Sequence, residues 1–474
     1  VGAEATGRLA RGGNLIALAL GQAFRLGSGL AINVLLMRML GVDGFGVYGY
    51  VMTMVAVSAF AASMGMERLI NRELSRAPEQ RPALIGAGVA ATTVLSLVTT
   101  VGVLLYALAT DGRQEVVLGA GIATLASGVH ALSLVLEAAF HAARDMRPSA
   151  RAQMAGKVVL VVATLGGLLG GLGLISVFVA QLLDGLVALG WVGWAYHRRL
   201  GFTGHRTSFA AVRSLVRRAW PFGMSMLFAS VYLSVDVLVL GLMRGDTEVG
   251  LYRGAFMLIV LFPVIANTLT TGYFPKLART LGEPEKTTAE LRFVARVLLA
   301  ISVPAAVGGM VVAQPLMVFL GGEEYLRSAL SFVILAPMLP LRYLNNAYAT
   351  TLSTLNRQRD RTRGTMIAAG VNLGLNLLII PRFGAEGAAA TTLATEVVLH
   401  LWFRWRVGGL VTDLGLGRTL LQVGVPAAVM AAVLLPLDGV QVVLQILVGV
   451  AVYAGVGRVS GAWSPADLRR LRRV

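Results

Sequence analysis

Apolar residues in this chain gather into runs of roughly twenty, divided by short polar stretches, and about 20 helical residues cross a bilayer core of roughly 30 Å. The runs predict transmembrane helices over 13–37, 45–66, 83–108, 115–139, 152–170, 174–196, 218–242, 249–273, 291–314, 328–353, 364–380, 386–405, 419–436 and 440–458. The expectation is an all-α integral membrane protein of about fourteen spans. Gly and Pro recur inside the runs, where neighbouring helices satisfy the backbone groups they free.

Composition agrees, with 56% apolar and 14% charged residues. Cysteine is absent, which removes disulfides, thiolate metal sites and cysteine nucleophiles, and five histidines leave little for a His-based metal site. The net charge of +17 invites a nucleic-acid reading, but the Arg residues sit in short clusters between apolar runs, with no basic aromatic platform. Orientation explains them better. Segments alternately assigned inside hold 31 of the 41 Lys and Arg residues. The outside segments hold Arg38, Arg113, Arg244, Arg253, Arg327 and Arg382, so both termini are expected in the cytoplasm. Arg8 and Arg11 run straight into the first apolar segment without a cleavage site, which reads as a retained first helix. Residues Ser464 to Arg473 read either as a basic amphipathic helix on the inner surface or as a solvated tail.

The chain repeats itself. Leu40-Gly41-Val42-Asp43-Gly44-Phe45-Gly46-Val47-Tyr48 ends the first span and opens the second. Arg244-Gly245-Asp246-Thr247-Glu248-Val249-Gly250-Leu251-Tyr252 does the same for the seventh and eighth, 204 residues later. Arg144-Asp145 after the fourth span matches Arg359-Asp360 after the tenth, and Asp184 matches Glu396. The repeat unit holds six helices, so both halves enter from one side and relate by an axis along the membrane normal, a transporter arrangement. The expected organisation is an N-terminal lobe over 1–200, a second lobe over 201–410, and two further helices with a basic tail over 411–474.

Ionisable groups inside spans cost roughly 2.5–3.5 kcal/mol each at a helix centre on insertion scales, so those retained carry weight. Helical spacing puts Gln22, Arg25, Gly29 and Asn33 on one face of the first span, and His130, Ser133, Glu137 and His141 on one face of the fourth. Gln153, Lys157 and Thr164 align in the fifth, and Arg342, Asn345, Asn346, Ser353 and Asn356 in the tenth. Asp184, Asp236, Arg296, Asn372, Asn376 and Glu396 complete the set. Either these line a hydrated cavity between two lobes, or they pair between helices, for example Arg25 or Lys157 with Glu137 or Asp184. Lys157 and Arg296 also lie near span ends, where they can snorkel. Arg25 is the foremost ligand candidate, with Ala229 at its repeat position. A guanidinium suits phosphate or pyrophosphate, whereas an exporter of organic cations wants a carboxylate in the first span, which has none. No phosphate-binding loop and no His-Glu-x-x-His occurs, and outside loops of about 4–16 residues leave no domain for chemistry, so no enzyme is expected.

The stretches Leu35 to Tyr48, Gly65 to Glu73 and Gly384 to Ala390 make the chain resemble the oligosaccharide flippases of polysaccharide biosynthesis. These share a superfamily with multidrug and toxin extruders and lipid II flippases. The resemblance implies a two-lobed, V-shaped fold that alternates between inward- and outward-open states. It implies polyprenyl-pyrophosphate-linked sugar repeat units as substrate, moved to the outer leaflet of the cytoplasmic membrane, with a cationic cavity that Arg25 is placed to match. Gln22, Asn33, Lys157, Arg253, Arg342, Asn345 and Asn346 are further cavity candidates from the residues themselves. Coupling to H⁺, Na⁺ or the membrane potential is expected, with Glu137, Asp184, Asp236 and Glu396 as candidate groups and no cofactor or metal. Expected partners are the lipid-linked substrate, membrane lipids and polysaccharide-assembly enzymes, the flippase itself being a monomer. Rival readings are lipid II transport, a cation-coupled exporter using Asp236, a membrane-embedded polymerase or ligase, and a structural scaffold.

Overall fold

The computed structural model describes residues 2–201, 207–262, 266, 269–270, 273, 276–280, 283–355, 357–408, 414–437 and 439–463; the side chains of 2–26, 28, 225, 261 and 284 lie outside that description. The helices are α1 (Gly2–Ser63), α2 (Met66–Arg76), α3 (Arg81–Thr110), α4 (Gln114–Ala142), α5 (Arg147–Leu169), α6 (Gly173–Leu200), α7 (Phe209–Arg244) and α8 (Asp246–Leu261). After them come α9 (Pro284–Val311), α10 (Ala313–Gly321), α11 (Ser328–Leu335), α12 (Met338–Thr354), α13 (Gln358–Gly408), α14 (Leu416–Leu434) and α15 (Val442–Ser460). No strand occurs among the described residues. Eleven helical stretches there are long and apolar enough to cross a membrane. Two of them, Gly29–Arg76 and Gln358–Gly408, each cover two expected spans, and the eighth expected span falls partly outside the described residues.

Expected breaks become kinks. The loop anticipated after the first span is a bend inside α1 at Gly41, whose φ of 66° is left-handed. The break before the twelfth is a bend inside α13 at Gly384, with φ 54°. Only glycine takes such angles without strain, so the chain turns there without a loop. Conversely, the stretch after the second span, expected as an inside loop, contains helix α2. Met66, Leu69, Ile70 and Leu74 recur at the spacing of one helical face and are buried, with Arg68 and Arg72 turned outward.

Packing follows the repeat. In the first half α6 packs on both α4 and α5, and α3 on α4; in the second, α13 packs on α7 and α12. α14 and α15 pair with each other, and α14 lies on α9. Met430 and Leu434 there meet Val307 and Val311, and Gly308 admits the tip of Met430.

Repeat-related positions also share local structure. Gly41 (φ 66°, ψ −173°) and Gly245 (φ 86°, ψ −175°) make the same turn. Arg199 pairs with Asp145 at 2.7 Å and Arg406 with Asp360 at 2.5 Å, each tying the end of a half's last span to the entrance of the span before it. The halves meet at two ends. At the Gly41 end α1 packs on α8, while at the other end α2 packs on α7, with Arg218 3.6 Å from Glu73 and Arg72 over the Phe222 ring.

Candidate functional site

At the Gly41 end the two halves are in direct contact. Thr247 donates to Asp43 at 2.5 Å, and these residues are repeat equivalents, 204 positions apart. Self-contact between equivalent positions places them at the pseudo-twofold axis. Nearly two turns further in, Arg253 crosses from α8 to α1, donating to the Gly49 carbonyl at 3.1 Å and to Thr53 at 3.3 Å. Gly49 is again the repeat equivalent, and it must be glycine, because a Cβ there would collide with the Arg253 side chain. The guanidinium lies 6.0 Å from the Tyr48 ring centroid, is half-buried, and pairs with no carboxylate among the described residues. It keeps its charge at a position where an anion would be attracted.

Arg342 on α12 is the second such cation. It lines a small pocket with Tyr232, Asp236, Phe256, Asn372 and Thr392, and its Nη1 is buried without a hydrogen-bond partner among the described residues. Around it the second half is stitched by neutral donors. Asp236, buried, accepts from the Val237 N–H at 2.9 Å, from the Tyr252 hydroxyl and from Thr392 at 3.3 Å. Glu396 accepts from Tyr232 at 2.7 Å and from Asn345 at 2.8 Å, and Asn345 Oδ1 lies 3.0 Å from His400 Nδ1. Asn372, Asn376, Thr391 and Thr395 form a further buried chain. Asn346 accepts from Thr270 at 2.7 Å, away from that cluster.

The first half uses charge instead. Lys157 pairs with Asp184 at 2.5 Å, the pairing reading of the sequence. Glu137 is fully buried; its Oε2 accepts from Gln153 at 3.0 Å and lies 3.9 Å from His141, while Oε1 has no hydrogen-bond partner among the described residues. Thus Asp184 and Glu396 occupy matching positions with unlike partners, a cation in one half and hydroxyl and amide in the other. A cleft of about 500 Å³ opens between α1 and α5, lined by Ile32, Leu35, Val158, Val161 and Val162 with Lys157 on its wall. Asn33 donates to the Gly29 carbonyl of its own helix at 2.8 Å. The side chains of Gln22 and Arg25 lie outside the described residues, as do Asn356 and the tail after 463.

The structure therefore brings the candidates into separate clusters: Glu137 with Gln153, Lys157 with Asp184, Asn345 with Glu396, and Arg342 beside Asp236. It also adds Tyr232, Tyr252, Thr392 and Thr395, whose hydroxyls the charge-led reading passed over. Threonine recurring at 391, 392 and 395 within an apolar helix was the available signal. No group of three or more His, Cys, Asp or Glu side chains suits a metal ion among the described residues.

Comparison with known proteins bears on the family and the fold. The family model described as polysaccharide biosynthesis protein matches residues 12–281, and the MatE model matches 221–380. A protein of Haloferax volcanii named as a probable low-salt glycan biosynthesis flippase is 22% identical over 432 residues, covering 87% of each chain. An Escherichia coli K12 protein named for O-antigen transport is 26% identical over 238 residues, 46% of this chain and 52% of its own. Among solved structures, a lipid II flippase in an inward closed conformation superposes with a TM-score of 0.77 at 15% identity, covering 93% of this chain and 98% of that one. At that identity the likeness is one of fold. These relatives and neighbours are flippases and transporters, not enzymes.

Proposed function

Because the chain belongs to the polysaccharide biosynthesis protein family, we propose that it is a flippase for polyprenyl-pyrophosphate-linked oligosaccharide repeat units. It carries them from the inner to the outer leaflet by alternating access, with the sugar and pyrophosphate between the halves and the lipid tail in the bilayer. The observation that carries the reading is Arg253, a half-buried guanidinium with no carboxylate partner among the described residues, at the contact between repeat equivalents. A planar, permanently charged fork there suits a pyrophosphate bound on the axis. The names of the Haloferax volcanii and Escherichia coli relatives support the substrate class.

In this reading Arg25, Gln22, Arg253 and Arg342 face the head group, and the division into 1–200, 201–410 and 411–474 marks the moving parts. Asn33, Asn345 and Asn346 belong to the same walls, although each is committed to a protein partner in this conformation. Lys157 reaches an anion only on leaving Asp184. Asp236, Glu396, Glu137 and Asp184 are the candidates for coupling to H⁺, Na⁺ or the membrane potential. The excess of Lys and Arg on alternate segments puts the Gly41 end outside and both termini in the cytoplasm.

The test is translocation of a fluorescent polyprenyl-pyrophosphate oligosaccharide in proteoliposomes. Wild type transports; Arg253→Ala and Arg25→Ala, folded and inserted, lose at least tenfold. Full transport by both variants removes the arginines from the path. Transport of organic cations instead, lost in Asp236→Asn, replaces this reading with the exporter.

A further inference from the structure

Four of the six tryptophans fall in two matching pairs, Trp191-x-x-Trp194 near the end of α6 and Trp402-x-x-Trp405 near the end of α13. The rings within each pair meet edge to face, with centroids 6.2 Å and 5.3 Å apart. These are the ends that the charge bias assigns to the cytoplasmic side. Trp191 and Trp194 are 41% and 54% exposed. A ring with an apolar body and one N–H donor is most stable at head-group level, so each pair marks where its half meets the interface.

The two pairs differ in their cations. Trp402 donates its indole N–H to the Asp360 carbonyl at 3.0 Å, and the Arg406 guanidinium over Trp405 is already paired with Asp360. In the first half Arg199 takes the corresponding pairing with Asp145. That leaves Arg198 stacked 4.9 Å from the Trp194 centroid, exposed, and with no carboxylate among the described residues. Stacking on the ring holds the guanidinium's plane while its N–H groups stay open.

We propose that Trp191, Trp194 and Arg198 form a binding site for the phosphate head group of an anionic phospholipid of the inner leaflet. The indoles bury against the glycerol region, and the guanidinium donates to the phosphate. The Trp402–Trp405 pair grips the same interface with its stacked cation, Arg406, already paired. The lipid therefore anchors the first half at a fixed depth, the frame against which the second moves. This inference rests on the orientation given under the proposed function, but its test reads lipid contact and not transport.

The protein is reconstituted in matched bilayers containing brominated phosphatidylglycerol or brominated phosphatidylcholine at equal mole fraction. The part of the tryptophan quenching that disappears in Trp194→Phe reports Trp194 alone. In wild type the association constant read from that part is about fivefold higher for phosphatidylglycerol, the ratio equivalent to the roughly 1 kcal/mol of one basic residue at an anionic surface. Arg198→Gln makes the two lipids equal, and Arg198→Lys keeps most of the preference. Equal quenching in wild type, or a preference that survives Arg198→Gln, overturns the site. So does displacement of phosphatidylglycerol by trace polyprenyl pyrophosphate, which assigns the phosphate contact to the substrate lipid. Absence of flipping by wild type, with the lipid preference intact, counts against the transport reading alone.

Discussion

Gly46 and Gly250 stand in reciprocal relation across the contact between the halves: a Cβ on Gly46 would overlap the Asp246 carbonyl oxygen, and one on Gly250 the Val42 carbonyl oxygen. Each glycine lies one turn into its helix and faces the backbone that opens the equivalent helix of the other half. The obstacle in both cases is main chain, which cannot swing aside as a side-chain tip can. Gly46→Ala or Gly250→Ala should therefore force the Gly41 end apart, at about 1–3 kcal/mol of overpacking against the joined state. Spin labels beside the Gly41 bend of α1 and at the start of α8 should read a longer separation in either variant. The double variant should add little, because the first methyl has already parted the surfaces. Wild-type distances in both single variants would show that the contact has slack.

Thr247 and Asp43, bonded at 2.5 Å, supply a lock at the same place. The chain has no native cysteine, so Asp43→Cys with Thr247→Cys introduces the only thiols. Oxidation should cross-link them and stop translocation, and reduction should restore it. Cross-linking without loss of transport would mean that this end never opens during the cycle.

Much of the fold was legible in the residues, for physical reasons that also mark where the reading stopped. A bilayer imposes a length on every apolar run, so α3 to α6 and α14 to α15 fall close to their expected limits. The turn at Gly41 and its copy at Gly245 were legible as a repeat, but not that α1 runs through its bend with no loop, because a single left-handed glycine suffices and leaves no polar segment. α2 was missed because its apolar face is only four residues wide amid Arg and Glu. In the site, spacing told which helix face carries Glu137 or Asn345, since that is local geometry. It did not tell that Glu137 takes Gln153 while Lys157 takes Asp184, because partner choice depends on the rotation of neighbouring helices.

Arg113 in the α3–α4 turn holds Asp111 of its own half and Asp246 of the other. The hydrogen bond from Arg113, more than any other influence, keeps the Asp111 carboxyl below its ordinary range. A depressed carboxylate contributes its stabilisation fully above the usual value of about 4 and loses it as pH falls through the lower folded value. The Arg113–Asp111 pair that holds the guanidinium in place should thus be indifferent to pH between about 5 and 8 and loosen only in stronger acid. Spin-label distances across this end should stay constant over that range and lengthen in Arg113→Ala at every pH. A lengthening in wild type near pH 6 would mean that another group governs the contact.

Lys157 and Asp184 join α5 to α6 with side chains 41% and 13% exposed, so the pair is neither fully buried nor freely solvated. Removing one partner strands the other charge beside the apolar cleft lined by Val158, Val161 and Val162. A buried pair broken this way costs about 3–5 kcal/mol, and the exposure of Lys157 brings the expectation here to about 1–2 kcal/mol. Asp184→Asn and Lys157→Met should each lower the melting temperature in detergent. The double variant Lys157→Met with Asp184→Leu should recover most of the loss, since two apolar side chains leave no uncompensated charge. Flipping by that double variant separates the two roles the pair can hold. Retained transport makes it a structural clamp between α5 and α6. Lost transport in a protein that melts like wild type places a charge exchange at Lys157 within the cycle.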